Sequence, residues 1–586
     1  MCIHLRISRF IEKRFTVRIN AEGKGCNMGH IEQRSHYLRD AVAELRAAFA
    51  LDERGGGRLL LLYSLALASS FGLSFWLDGT ELLEAVLLTL LYCLMAFSLL
   101  CPLVRFVSRH GGPWKDGVFD KRLFLTVFGA IFLVYFFQFL INFPGCCTPD
   151  SSDSIKTALG LMELSNWTPI FYTLFVAPFV LLGQAIGDLT WGIALYSFVQ
   201  MTLFALVLAY AVAWLARRGA SRILVVFAIL FFVLDPVAAR YSITMWKDIP
   251  FSLCMFLYLL CLTDIVLAKG RIDAKTTIKL VLLSLGVGLF RNNGLYIVLL
   301  TLIVLTLVYR KVSLTRLLPV ALGVPMMVVV VTGPIYAAAG VAPSPFRESI
   351  AIPLQQVGAV IYHNGDMTEE QRDFLSGFMS TENVKNDYTP TSSDGLKFGG
   401  HFNDEWMEEN KVVFMKTWFD LGLQNPLLYF KAWLSSTEGY WNIDTSGWAV
   451  ASSGYFGEPG MSVLYEVTGM ESLNRDGNED FQELRFTHFP TYALYNIAMS
   501  VWMLFGCALL ALRHRRTLIV PLVPLLAMWL TMMVAAPEYC QYRYMFALHL
   551  AIPFMVALAF AACDPQSDED ASSSEWNRSG GLPCAR

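Results

Sequence analysis

The sequence predicts an all-α polytopic membrane protein, with about 12 transmembrane helices, exterior juxtamembrane helices and a mostly helical exterior domain. Three observations carry this. Of 586 residues, 55% are hydrophobic and only 16% are charged, against roughly 25% charged in a soluble domain. Uncharged apolar runs approach or exceed the roughly 18 residues that a bilayer crossing needs. Lys and Arg gather in the short segments between those runs, as they do in cytoplasmic loops. The net charge of -3 says nothing about nucleic acid, and no basic domain is present to bind it.

The elements follow in order. Residues 1–57 are polar and basic, which predicts a cytoplasmic segment, no cleavable signal peptide and a first span that acts as an uncleaved signal. Apolar runs lie near 59–77, 82–104, 123–143, 170–187, 190–214, 222–234, 249–268, 278–290, 294–309, 317–338, 490–512, 517–536 and 545–562. Residues 58–121 give two spans and a basic loop, and 122–338 a transmembrane core whose first exterior loop is 144–189. Residues 339–488 are strongly acidic and too long for a plain connector, so they read as an exterior domain, with disorder around 383–400. The last three spans occupy 489–562, and 563–586 is a serine-rich, disordered cytoplasmic tail.

Charge decides one ambiguity. If 170–187 and 190–214 both crossed, Arg217, Arg218 and Arg222 would fall outside and every later basic loop would be reversed. The run 170–187 is therefore read as a helix or re-entrant segment on the outer face, with both termini cytoplasmic. Twelve cysteines are scattered without a C-x-x-C pair, so a zinc site is not expected. A disulfide from Cys540 to Cys146 or Cys147 is a candidate, because all three fall in exterior loops.

Ionisable groups at membrane depth are costly and mark candidate sites. Here they gather on the exterior side. Asp150 and Asp153 stand in GCCTPDSSDSIKTALG, directly after a charge-free run. Lys247 and Asp248 precede the 249–268 run, Arg291, Asn292 and Asn293 form the turn of FRNNGLY, and Glu538, Arg543 and Tyr544 lie between the last two runs. A carboxylate can take a proton from a hydroxyl, and Arg and Lys can hold a phosphate leaving group. Each has a plainer reading. Asp150 suits an N-cap with Asp153 at N3, Lys247 and Asp248 a surface pair, Arg543 a snorkelling anchor, and Arg291 a turn that satisfies backbone groups. Trp76, Trp167, Trp246 and Tyr296 read as an interfacial aromatic belt.

The series TPDSSDSI, SNWTPIFYTLF, YSITMWKDIPFS, FRNNGLY, RESIAIPLQQVGAVI, NPLLYFKAWLSSTEGYW and EYCQYRYMFALHLAIPF resembles a bacterial branch of the multi-span GT-C glycosyltransferases. Protein O-mannosyltransferases and lipid A aminoarabinose transferases are more distant likenesses. The resemblance covers roughly residues 122–562. It implies a catalytic acid residue in the first exterior loop, juxtamembrane helices after it, and a polyprenyl-phosphate-linked sugar as donor. The acceptor is then a cell-envelope glycan or protein. Carried onto this chain, it makes Asp150 the general base with Asp153 second. Lys247, Arg291 and Arg543, beside Asn292 and Tyr544, become the phosphate-binding candidates, and Gln355 and Gln356 groups that face the site from the exterior domain, or equally a polar strip on an amphipathic helix. No obligatory cofactor is expected; the DSSD spacing offers one or two oxygens to a divalent metal but no complete set. The rival readings are a transporter or flippase of lipid-linked sugars, a surface-polysaccharide polymerase or ligase, and a non-enzymatic scaffold.

Overall fold

A computed structural model describes residues 56–112, 114–445 and 494–563. The chain divides into two units, Met1–Tyr63 and Ser64–Arg586. The expectations for the N-terminal segment before residue 56, for 446–488 and for the tail from 564 lie outside the described residues. Among the described residues the chain is helical throughout, and β pairing is limited to isolated bridges. Eight helices are long and apolar enough to cross a membrane, or up to nine if the bent pair Tyr542–Leu550 and Ile552–Ala562 is one span.

The first three helices are α1 (Gly56–Leu77), α2 (Leu82–His110) and α3 (Lys121–Ile141). Asp120 starts α3 by accepting the Arg122 and Leu123 N–H groups at 2.9 and 3.1 Å, a side-chain cap for donors that have no helical partner. Next come α4 (Pro149–Ala158), α5 (Ile170–Ile186) and α6 (Leu189–Arg217). At about 1.5 Å per residue the 17 residues of α5 fall short of a hydrocarbon core of about 30 Å. Gly187, left-handed at φ 81, ends α5, and Asp188 caps α6 two residues on. The two helices then pack side by side. A Cβ on Gly192 would lie 2.4 Å from the Phe179 carbonyl, so only glycine permits this approach.

The core continues through α7 (Arg222–Leu234), α8 (Pro236–Tyr241), α9 (Asp248–Leu267), α10 (Ala274–Phe290) and α11 (Gly294–Val330). With its extension to Ala338, α11 runs 45 residues, about twice what a crossing needs. Its backbone leaves helical geometry at Tyr309 and Ser313, so the two runs expected at 294–309 and 317–338 are two helical pieces joined across that break.

A polar helical region follows, from α12 (Ala351–Tyr362) through α13 (Glu369–Ser376), α14 (Thr381–Asp387), α15 (Asp394–Phe398), α16 (Asp404–Glu409), α17 (Lys411–Gln424) and α18 (Pro426–Thr437). It has its own core, centred on Leu354, Val357, Phe378, Phe414 and Leu421. The disorder expected around 383–400 is not what is found. That stretch holds α14 and α15, and Ser393 and Thr391 are tied by backbone hydrogen bonds to Pro537 and Tyr539. The chain closes with α19 (Ile497–His514), α20 (Val523–Ala535), α21 (Phe546–Leu550) and α22 (Ile552–Ala562).

Contacts sort the helix ends into two poles. At one, the Lys115 and Gly117 N–H groups donate to the Arg218 and Arg217 carbonyls, and buried Arg218 pairs with Asp116 and Asp264. The Ser313 hydroxyl donates to the Gly270 carbonyl at 2.6 Å, which brings the α11 kink to the loop after α9. At the other pole, Cys146 pairs with Thr244, and the Asn166 N–H donates to Ala342. The start of α3 and the end of α6 thus share one pole. Cys146, Cys147 and Cys540 are buried, and the candidate disulfide from Cys540 to Cys146 or Cys147 is not formed.

Candidate active site

The loop that leaves α3 is fixed before it reaches its carboxylates. Gly145 has φ 137, and a Cβ there would fall 2.1 Å from Ser197 Oγ. The Cys146 N–H donates to Ile243 at 3.0 Å, and the Met245 N–H donates back to Cys146 at 2.9 Å. Thr148, not Asp150, caps α4: its side chain and that of Ser151 form a reciprocal capping box, with Pro149 at the first helical position. Proline's preference for that position moves the cap one residue before it and leaves Asp150 in the first turn, free of capping duty. Ser151 Oγ donates to the Met245 carbonyl at 2.6 Å, locking α4 to the loop that carries Lys247.

Asp150 Oδ2 accepts from Lys247 Nζ at 3.3 Å and from Arg543 Nη1 at 2.9 Å. Burial alone would raise the Asp150 pKa, but the charges of Lys247 and Arg543 outweigh it and hold the carboxyl well below the usual carboxylate range. Asp153, nearly one turn on, is pushed the other way, by burial and by the charge of Asp150. Two carboxyls of one short helix therefore differ in character: one is a clamped carboxylate, the other holds its proton more readily.

Three further groups complete the cluster. The Arg543 guanidinium lies over the Trp246 ring at 5.2 Å and the Tyr544 ring at 5.0 Å. Arg291 faces the same Tyr544 ring at 4.8 Å, and its Nη1 is 3.2 Å from Asp248 Oδ1. Asp248 is fully buried in the first turn of α9, where the helix N-terminus favours a negative charge. Lys247, Arg291 and Arg543 thus face Asp150 and Asp248, and the cluster holds more cations than clamped carboxylates.

The other expected site residues divide. Asn292 Nδ2 donates to the Asn166 carbonyl at 3.3 Å, tying the turn to the segment after α4. Asn293 Nδ2 donates to Thr531. Gln355 and Gln356 stand apart, in the core of the polar helical region. Gln355 Nε2 donates to Thr389, and Gln356 bridges the Tyr429 carbonyl and the Trp418 indole N–H. Trp246, read as interfacial belt, is instead buried under Arg543. Among the described residues no group of three His, Cys, Asp or Glu is placed to hold a metal ion.

A second buried pair includes a histidine that went unread in the sequence. His549 Nε2 lies 2.6 Å from Asp235 Oδ2, and the Tyr495 hydroxyl donates to Asp235 Oδ1 at 3.0 Å. Asp235 also caps α8, which leads to Lys247, while His549 lies in α21, just after Arg543. The signal is a lone histidine inside the uncharged run MFALHLAIPF.

Residues 161–574 match the model of a family described as "Family of unknown function (DUF6020)". No curated protein and no solved structure matches the chain. The matched span includes Lys247, Asp248, Arg291 and Arg543 and begins just after α4.

Proposed function

Starting from a chain that belongs to the DUF6020 family of unknown function, we propose that it is a membrane glycosyltransferase that moves a sugar from a polyprenyl-phosphate donor to an acceptor hydroxyl. The observation that carries this reading is the single Asp150 oxygen shared by Lys247 and Arg543. A base, two phosphate-binding cations and an aromatic platform meet at one point. Asp150 occupies the cations that a donor phosphate would use. Donor binding exchanges partners: the phosphate takes Lys247 and Arg543, and Asp150, no longer clamped, becomes a stronger base. The acceptor oxygen then bonds to the anomeric carbon as the bond from that carbon to the phosphate oxygen breaks. The hydroxyl proton goes to Asp150, and the bonding pair goes to the phosphate, held by the two cations. One displacement inverts the carbon.

The topology that goes with this reading has 12 crossings. It is supported by the hydrogen bonds of Lys115 and Gly117 to Arg218 and Arg217, and by the approach of both Asn292 and Ala342, which flank α11, to Asn166. Basic loops gather at the Arg218 pole, which we assign to the cytoplasm. The site and the polar helical region then lie outside the cell membrane. The second reading, a transporter of lipid-linked sugars, draws on the buried Asp235–His549 pair.

The test is sugar transfer by the purified full chain and its Asp150→Asn variant, with a panel of polyprenyl-phosphate sugars and cell-envelope extract. We expect transfer to fall about 10²-fold or more, while polyprenyl phosphate binds the variant more tightly because the competing charge is gone. Weaker phosphate binding by the variant would sink the partner exchange. No transfer by wild type with any donor, together with uptake of lipid-linked sugar into vesicles, would favour the transporter.

A further inference from the structure

Helix α17 is apolar on both faces. Phe414 and Leu421 point into the core of the polar helical region, with Trp418 packed beside them. The opposite stripe, at helical spacing, is Val412, Lys416, Phe419 and Leu423. Val412 is 83% exposed, Phe419 58% and Leu423 68%. The ridge continues onto α18 through exposed Leu427 and Phe430. A helix with water on its outer side carries polar residues there. Isolated exposed apolar side chains are ordinary, but a contiguous ridge marks a contact surface.

The ridge abuts the ends of two candidate spans. The Phe430 ring lies 6.4 Å from that of Trp76, and Lys431 Nζ is 4.6 Å from the Trp76 ring. Trp76 is one residue from the end of α1. Trp433 Nε1 donates to the Met533 carbonyl near the end of α20 at 2.8 Å. Tryptophans and phenylalanines at this level form the belt between hydrocarbon and headgroups. Charge follows the same division. Along α17 and α18 stand Lys411, Lys416 and Lys431 against Asp420, whereas α13 and α16 carry Glu369, Glu370, Asp373, Glu405 and Glu409.

We propose that α17 and the start of α18 lie in the lipid surface beside the ends of α1 and α20. Val412, Phe419, Leu423 and Leu427 enter the acyl boundary, and Lys416 reaches the headgroup phosphates. The polar helical region is thus held to the bilayer along an edge as well as through its chain connections. An interfacial helix of this kind buries its apolar face about 5–10 Å into the headgroup–acyl boundary. The proposal is independent of the reaction assigned to the site.

The test places photoreactive benzoylphenylalanine at Phe419, at Leu423 and, as a control, at exposed Glu370 of α13. Each full-length variant is reconstituted in phosphatidylcholine–phosphatidylglycerol nanodiscs, irradiated and read by mass spectrometry for covalent lipid adducts. Phe419 keeps an aromatic ring in its variant, and unchanged size-exclusion profiles confirm folding. We expect at least about tenfold more lipid adduct at 419 and 423 than at 370. Equal adduct at all three positions would overturn the proposal. So would a crosslinked dimer in place of lipid adduct, which would assign the ridge to a second copy of the chain.

Discussion

Gly145 shows how much of the site depends on one missing side chain. Its φ of 137 and the Ser197 oxygen 2.1 Å from a would-be Cβ leave no room for alanine. Gly145→Ala should cost about 1–3 kcal/mol in backbone strain, read as a lower melting temperature. Because the next residue pairs with the loop that leads to Lys247, sugar transfer should fall as well; unchanged transfer would show that the loop absorbs the change. The polar members of the cluster are legible in the sequence because each interrupts an apolar run: Asp150 after one, Lys247 before another, Arg291 and Arg543 between two. Trp246 is not, since a tryptophan at a span end has the same sequence whether it faces lipid or lies under a guanidinium. Gln355 and Gln356 have two equal readings in the sequence, towards the site or as a polar strip on an amphipathic helix, and in the fold Gln355 holds the Thr389 loop and Gln356 the neighbouring helices α17 and α18.

Between elements, two polar contacts set the distance from one segment to the next. The Asp235–His549 pair joins the cap of α8 to α21, and so spans the two arms that bring Lys247 and Arg543 to Asp150. Removing one partner of a buried pair is costly, about 3–5 kcal/mol. His549→Phe should lower stability on that scale, and His549→Gln, which keeps a donor, should recover much of it. Equal melts for the two variants would show that ring packing, and not the pair, is what matters. At the start of α15, burial pushes the Asp394 pKa up, Lys397 pulls it down, and Glu538 and Glu348 raise it again, to about 6. Since the folded chain holds this proton more tightly than the unfolded one, its contribution to stability is full below about pH 4 and is lost as pH rises towards 6. Asp394→Asn should therefore show a smaller drop in melting temperature between pH 4 and pH 7 than wild type; parallel curves would remove Asp394 from the interface energetics. The helices themselves are largely visible in the apolar runs, and so is the break in α11: the basic stretch RKVSLTR separates two runs, and the backbone leaves helical geometry at Tyr309 and Ser313.

For the molecule as a whole, the decisive question is which side each loop occupies. Reporter fusions after residues 160 and 187 should report the same side, and fusions after 218 and 271 the other; different results at 160 and 187 would make α5 a crossing and reverse everything after it. Sequence alone poses this problem through the positive charges, and the Lys115–Arg218 and Gly117–Arg217 backbone hydrogen bonds support the proposed answer. The acidic region is foreseen as helical, but its attachment is not, because backbone hydrogen bonds leave no mark on side-chain identity. That attachment has a mechanical consequence. Tyr539 donates its N–H to Thr391 and accepts from the N–H of Gly439, so the loop between α14 and α15 and the segment just after α18 grip the same tip, four residues before Arg543. With so little chain between clamp and cation, there is almost no slack to absorb a pull. A bulky molecule leaning on the polar helices would load the Arg543 grip directly, so that the lifetime of a bound anion would be timed by what sits some distance away.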